Sequence, residues 1–180
     1  PPLRSSEQHR GDPGASRVIV IGAGGAGLTA ALRLARAGVK VTLLTKGVGG
    51  LQLSQGTVDV LGYRTIPELV EGSSAEASSG SAVVPTVRVT DPLAAVAELA
   101  DADPKHPYAV IGVDAVRAGV EFLRAELPDL LVGEPDANLL FPTAVGAIRP
   151  TCLAQPSMLA GACVDGAQFA IVGLRRLKDF

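Results

Sequence analysis

Apolar and polar positions along the chain follow two periods. Arg17–Ile21 (RVIVI) is a short, uninterrupted β-branched run, the pattern of a buried strand, and residues 39–45 (VKVTLLT) read as a second strand. Between them, residues 26–37 have a helical period, with Leu28, Ala31, Leu32 and Ala35 on one face and Arg33 and Arg36 on the other. Gly38 follows where a helix C-terminal glycine belongs. Strand, helix and strand predict one βαβ unit of about thirty residues, parallel by construction and right-handed by rule.

The pattern then changes. Residues 46–62 are glycine-rich and nearly uncharged, and residues 71–81 (EGSSAEASSGS) read as a linker without a packing face. A helix is predicted over residues 91–100, with Asp91 as N-cap and Pro92 at the first helical position. A second covers residues 113–127, with Val116, Val120, Leu123 and Leu127 inward. Short strands around Gly146 are expected within residues 139–153. Another buried-type strand is expected over residues 167–173 (AQFAIVG), followed by the opening of a helix.

The fold class expected is α/β: a Rossmann-like parallel βαβ of the FAD/NAD(P)-binding type with an incomplete additional α+β region. Its divisions are a polar tail (residues 1–16), the βαβ segment (17–66), a mobile linker (67–90), a region of helices and short strands (91–166), and a strand with a truncated next element (167–180). The chain opens on Pro1 and stops at Phe180 inside an element, so it reads as a portion of something longer.

Composition narrows the function. Hydrophobic residues make up 47% of the chain and aromatics 3%, without Trp, so the core is built from Ala, Val, Leu and Ile. Sixteen basic against 18 acidic side chains leave a net charge of −2, without the basic excess that nucleic acid requires. Cys152 and Cys163 are too few and too far apart for a zinc site and read as reduced, small apolar residues, so no metal is expected. Arg17 followed by an apolar run mimics a signal peptide, but the glycines inside the run belong to a turn. No stretch reaches the ~20 apolar residues of a membrane helix.

Gly22-Ala23-Gly24-Gly25-Ala26-Gly27 fits G-x-G-x-x-G, after a strand and opening a helix. Gly22 makes the tight turn, Gly24 leaves room for a pyrophosphate, and Gly27 lets helix and strand approach. Exposed N–H groups and the helix dipole then attract phosphate. A dinucleotide site normally carries Asp or Glu at the end of the second strand, where this chain has Thr45 and Lys46. Lys46 therefore meets a phosphate, of NADP or of FMN, or is a solvated strand-end lysine. The glycine-punctuated run from Gly47 to Asp59 is expected to pass beside a flavin, with Ser54, Gln55, Gly56 and Thr57 as contacts. A surface loop is the competing reading.

Ser54-Gln55-Gly56-Thr57-Val58-Asp59-Val60-Leu61, His106-Pro107-Tyr108 with Gly112, and Gly173-Leu174 with Lys178-Asp179-Phe180 occur in order. With the Gly22–Gly27 turn, they resemble the B subunit of the anaerobic glycerol-3-phosphate dehydrogenases, over its N-terminal part. Thr45-Lys46-Gly47 at the strand end also agrees with that family. The resemblance implies a flavin-binding component using FMN, with FAD the alternative, in a complex that oxidises sn-glycerol 3-phosphate to dihydroxyacetone phosphate. It implies electron flow towards membrane quinone in anaerobic respiration. The partners implied are an FAD-bearing protein, the A subunit, and a membrane-anchoring iron–sulfur protein, the C subunit. The location implied is cytoplasmic and peripheral to the inner membrane. Competing readings are an FAD-dependent oxidoreductase of the fumarate reductase type with another substrate, and a non-catalytic or truncated partner.

Other residues carry weaker expectations. His106 is the only histidine outside the tail and reads as structural before catalytic. Arg149 is a candidate clamp for a substrate phosphate, with an exposed hairpin arginine as the bland account. Asp59 is expected to cap a following helix. The catalytic residue stays unassigned, since the flavin itself would carry the redox chemistry.

Overall fold

The computed structural model describes residues 17–65, 86–170, 172–173 and 175. The expected tail (1–16), the linker core (71–81) and the last helix opening lie wholly or mostly outside them. Contacts divide the chain into two compact units, Pro1–Gln55 and Gly56–Phe180. The segment expected to run from 17 to 66 thus closes at Gln55. The cause lies just beyond, where Val58 pairs through its backbone with Leu153 of the second unit.

The first unit holds β1 (Arg17–Ile21), α1 (Gly25–Arg36), β2 (Lys40–Leu44) and a 3-10 helix, Gly49–Leu53. The strands pair in parallel, Arg17 against Lys40 through Ile21 against Leu44. The end of α1 is a Schellman motif: Gly38 (φ +80°) donates to the Ala35 carbonyl, and Val39 donates to that of Leu34, each at 3.0 Å.

Two expectations fail here. β1 is not buried on both faces: Ile19 is 58% and Ile21 84% exposed, while Val18 and Val20 are half-buried. Among the described residues of this unit α1 is the only α-helix, and one helix covers one face of a sheet. Nor does α1 pack through Leu28 and Leu32, which are exposed; its half-buried stripe is Gly27, Ala31 and Leu34. A β-carbon on Gly27 would stand 3.6 Å from Val20 Cγ1, so the helix turns its smallest residues to the strand and gains close approach.

The second unit holds β3 (Tyr63–Thr65), β4 (Thr86–Arg88), α2 (Pro92–Ala102), α3 (Pro107–Ile111), α4 (Val113–Glu126), β5 (Val132–Gly133), β6 (Leu139–Pro142), β7 (Ile148–Thr151) and β8 (Leu153–Ala154). Its strands form antiparallel pairs, β3 with β4, β5 with β8 and β6 with β7. Gly146 turns the β6–β7 hairpin at φ +80°, as expected. Asp91 Oδ1 accepts from the amides of Leu93 and Ala94 at 3.0 and 2.9 Å, a cap worth about 1 kcal/mol to α2.

Val120, Leu131, Cys152 and Leu153 form a buried core cluster, flanked by Val58, Val60 and Leu123, and Leu93, Val96 and Phe141 are buried elsewhere in the unit. Leu127, expected inward, is 39% exposed because α4 ends at Glu126 and the chain turns away. The strand expected over 167–173 is absent among the described residues there, and Ala167–Ala170 are exposed. An apolar run becomes a strand only against an edge that offers hydrogen bonds. Here Ala167 instead donates to the Val164 carbonyl in a turn.

Candidate functional site

The site is built at the carboxyl ends of β1 and β2. Ile21 and Leu44 are the last register pair, and Gly22 donates to the Leu44 carbonyl at 2.8 Å while turning at φ +104°. Gly24 is the N-cap of α1 in extended backbone, without a side-chain cap, and no acidic residue stands in the first turn. The leading N–H groups of α1 therefore face outward with the positive end of the helix dipole.

Two glycines have opposite reasons. A β-carbon at Gly24 would meet nothing within 4 Å, so the space beside it is open to a ligand. A β-carbon at Gly27 would stand 2.0 Å from the Gly22 carbonyl oxygen, so Gly27 is a packing requirement. At Gly25 the same atom would make only an ordinary contact, 3.8 Å from Leu51 Cδ2. The cradle of bare backbone and open space fits a diphosphate, which needs N–H donors and no side chain in the way.

Gly49 has a part that sequence does not distinguish from those of its neighbours. It turns at φ +66°, and a β-carbon there would lie 2.9 Å from Gly24 Cα and 3.0 Å from Gly24 N. The 3-10 helix thus backs directly onto the glycine turn. The only signal is one glycine among Gly47, Gly49 and Gly50, and the backbone alone picks out which one is constrained.

Thr45 and Lys46 follow β2. Thr45 Oγ1 is bonded within a local turn to Gly47, accepting from its amide at 3.1 Å and donating to its carbonyl. Lys46 is exposed and makes no ion pair or hydrogen bond among the described residues. Residues 17–55 contain five basic side chains (Arg17, Arg33, Arg36, Lys40, Lys46) and no acidic one. Ser54 ends the 3-10 helix with its amide on the Leu51 carbonyl at 3.1 Å, and Gln55 closes the unit.

Gly56 and Thr57, expected alongside them, fall in the second unit. Gly56 turns at φ +82° beneath Gln155, whose Nε2 would lie 2.0 Å from an added β-carbon. The run after it is stitched on every side. Val58 exchanges backbone bonds with Leu153, the Val60 carbonyl accepts from Tyr108 Oη at 2.7 Å, and Asn138 Nδ2 donates to Leu61 and Val89 at 2.9 and 2.8 Å. Two stretches that carry the family resemblance, around Val60 and at His106-Pro107-Tyr108, therefore meet in space.

Among the described residues Asp59 caps no helix, the chain running on into β3; its carboxylate pairs with Arg149, whose Nε donates to Oδ2 at 3.1 Å. Arg149, the candidate phosphate clamp, is thus engaged. Both side chains are about a third or more exposed, so the pair is worth under about 1 kcal/mol. His106 is structural: Nδ1 accepts from the Tyr108 amide at 3.1 Å and caps the one-turn helix α3.

Cys152 is fully buried, and its Sγ donates to the Glu134 carbonyl at 3.3 Å. Burial, then Asp136 and Asp59, push its thiol from 9.0 up to about 11; Arg124 opposes this. Arg124 is a nearby base that sequence spacing does not reveal. The folded state holds the proton more tightly, so this contribution to stability is complete below pH 9 and is lost as pH rises through 11. A thiol reagent at pH 8 is expected to label the half-buried Cys163 in the native protein and to reach Cys152 only on unfolding. Equal native labelling of both would contradict this burial.

The model of the FAD-binding-domain family matches residues 17–180. A probable anaerobic glycerol-3-phosphate dehydrogenase B subunit from Halobacterium salinarum is 37% identical over 165 residues, 92% of this chain and 34% of its own length. The anaerobic glycerol-3-phosphate dehydrogenase B subunit from Vibrio cholerae is 33% identical over 168 residues, covering 91% of this chain and 34% of that one. That of Mannheimia succiniciproducens is 31% identical over 170 residues, covering 91% and 35%. The chain thus spans about a third of the length of these relatives. No solved structure matches it. No helix among the described residues is long and apolar enough to cross a membrane. The family's description names FAD, the alternative of the two flavins expected, and does not bear on FMN. The chain belongs to the FAD-binding-domain family.

Proposed function

We propose that the βαβ unit holds the diphosphate of FAD on the glycine turn, and that the chain is part of the flavoprotein subunit of a glycerol-3-phosphate dehydrogenase. One observation carries the binding reading: the uncapped N-terminus of α1 opens at Gly24 onto space that no protein atom fills. The amides that lead α1 donate to phosphate oxygens, Gly27 keeps the helix on β1, and Gly49 buttresses the turn from behind. Ser54 and Gln55, at the end of the same unit, belong to this proposal as polar contacts to the flavin.

The names of the relatives support the reaction. It is oxidation of sn-glycerol 3-phosphate to dihydroxyacetone phosphate, with electrons passing towards membrane quinone in anaerobic respiration. A bound flavin supplies the acceptor for the hydride or electrons. Partner proteins, one bearing FAD and one carrying iron–sulfur clusters, would hold this one at the cytoplasmic face of the inner membrane. FMN is the second reading, favoured by the missing carboxylate after β2, because a mononucleotide brings no adenosine ribose to be held.

The test is the cofactor of the full-length protein. Once purified, it should be yellow and release FAD on denaturation. Release of FMN would support the second reading, and a colourless protein that takes up neither flavin would overturn both.

A further inference from the structure

We infer that the Asp165–Gly166 peptide bond is a spontaneous modification site, at which the chain isomerises to a β-linked isoaspartyl bond through a cyclic imide. The site stands apart from the flavin reading. Asp165 is the only aspartate in the chain followed by glycine. That neighbour matters because its amide nitrogen must reach the side-chain carboxyl carbon, and a β-carbon on it obstructs the approach. Asp91 and Asp103 precede proline, which has no N–H to lose. Asn138 carries a side chain that cyclises in the same way, but Leu139 follows it. Its Nδ2 is also held by the Leu61 and Val89 carbonyls at 2.9 and 2.8 Å.

The fold leaves this bond open to water. Asp165 and Gly166 are the central residues of a turn closed by Ala167, whose amide donates to the Val164 carbonyl at 3.0 Å. Gly166 stands at φ +78°, the third-position conformation that such a turn reserves for glycine. Val164, Asp165, Gly166 and Ala167 are all exposed. Neither the Asp165 carboxylate nor the Gly166 amide has a hydrogen-bond or ion-pair partner among the described residues. A β-carbon on Gly166 would meet nothing within 4 Å, so no packed neighbour braces the turn.

The step balances with water alone. Gly166 N attacks Cγ of the protonated Asp165 carboxyl; the N–Cγ bond forms, the C–OH bond breaks, and water leaves with the amide proton. A second water reopens the imide. Attack at the side-chain carbonyl restores aspartate, and attack at the α-carbonyl leaves the chain running through the β-carbon and Cγ. The isoaspartyl form carries one more backbone carbon, so the Val164–Ala167 turn cannot close as before.

The experiment ages full-length protein for some weeks at neutral pH, in native buffer and in urea, and maps its peptides by chromatography with fragmentation that separates the two linkages. Enzymatic methylation with S-adenosylmethionine, which marks isoaspartyl carboxylates, gives an independent count. Native protein is expected to accumulate isoaspartate at residue 165, well above the level at any other aspartate. Asp165→Glu keeps the charge but would need a six-membered imide, and it is expected to lose the methylated site. Isoaspartate at residue 165 in urea but none in the native protein would overturn the inference, because the fold would then protect the bond. Methylation of Asp165→Glu at the wild-type level would overturn it as well, and so would the absence of isoaspartate at residue 165 from both samples. The flavin reading stands under each of these results.

Discussion

Alanine at Gly27 is expected to unfold the first unit at markedly lower urea and to abolish flavin uptake. The new β-carbon would stand 2.0 Å from the Gly22 carbonyl oxygen, a backbone atom that cannot swing aside like a flexible side chain. Either α1 withdraws from β1 or the Gly22 turn opens. Withdrawal loses the packing of Gly27, Ala31 and Leu34; opening the turn loses the bond from Gly22 to Leu44. Overpacking of this kind costs about 1–3 kcal/mol, and contact with backbone places this site at the upper end. Urea midpoints and flavin content of the two proteins check it. Wild-type values for both would contradict the packing role of Gly27.

A second glycine carries an effect of similar size in the other unit. Gly133 sits at φ +135° in β5, opposite Leu153, and its added β-carbon would lie 2.2 Å from the Cys152 carbonyl oxygen. Gly133→Ala thus meets backbone strain and a backbone clash together, about 3 kcal/mol in all. The damage falls on the Cys152–Leu153 core and on the Gly133 carbonyl, which accepts from Arg124 at 3.1 Å. Labelling of Cys152 reports it directly: the buried thiol should become reactive at a lower urea concentration than in wild type. An unchanged labelling profile would contradict the account of this strand pair.

The contrast between these glycines and Gly24 shows what a sequence can express. The order of strand, turn, helix and strand is legible, because hydrophobic period and helix stops are local signals. Gly22, Gly24 and Gly27 take separate reasons from sequence alone, since a βαβ turn constrains each differently. Hydrophobicity misplaces the packing face of α1, because Leu28 and Leu32 outweigh Gly27 on any such scale, yet close approach selects the glycine side. The Asp59–Arg149 pair and the reach of Asn138 to Leu61 and Val89 link positions tens of residues apart, which no local window contains. Ala167–Ala170 has the composition of a strand but pairs with no strand among the described residues, and pairing is not a local property.

The charge of the first unit is also present in the sequence but gains meaning from geometry. Five bases without an acid over residues 17–55 are ordinary as composition. In the structure they share a unit with the uncapped amides that lead α1, so a positive helix end and a positive net charge occur together.

The central claim is that phosphate binds in the open space at Gly24, and Gly24→Val tests it most directly. A β-carbon there meets no protein atom within 4 Å, and φ −80° suits any residue, so the variant should still fold, at a cost of about 1 kcal/mol because valine is a poorer N-cap than glycine. Its side chain would nevertheless occupy the space proposed for the diphosphate. Equilibrium titration of FAD into flavin-stripped wild type and Gly24→Val, without urea and with both shown folded by their urea transitions, should show binding to the first and none to the second. Equal FAD binding by the two proteins would contradict the account.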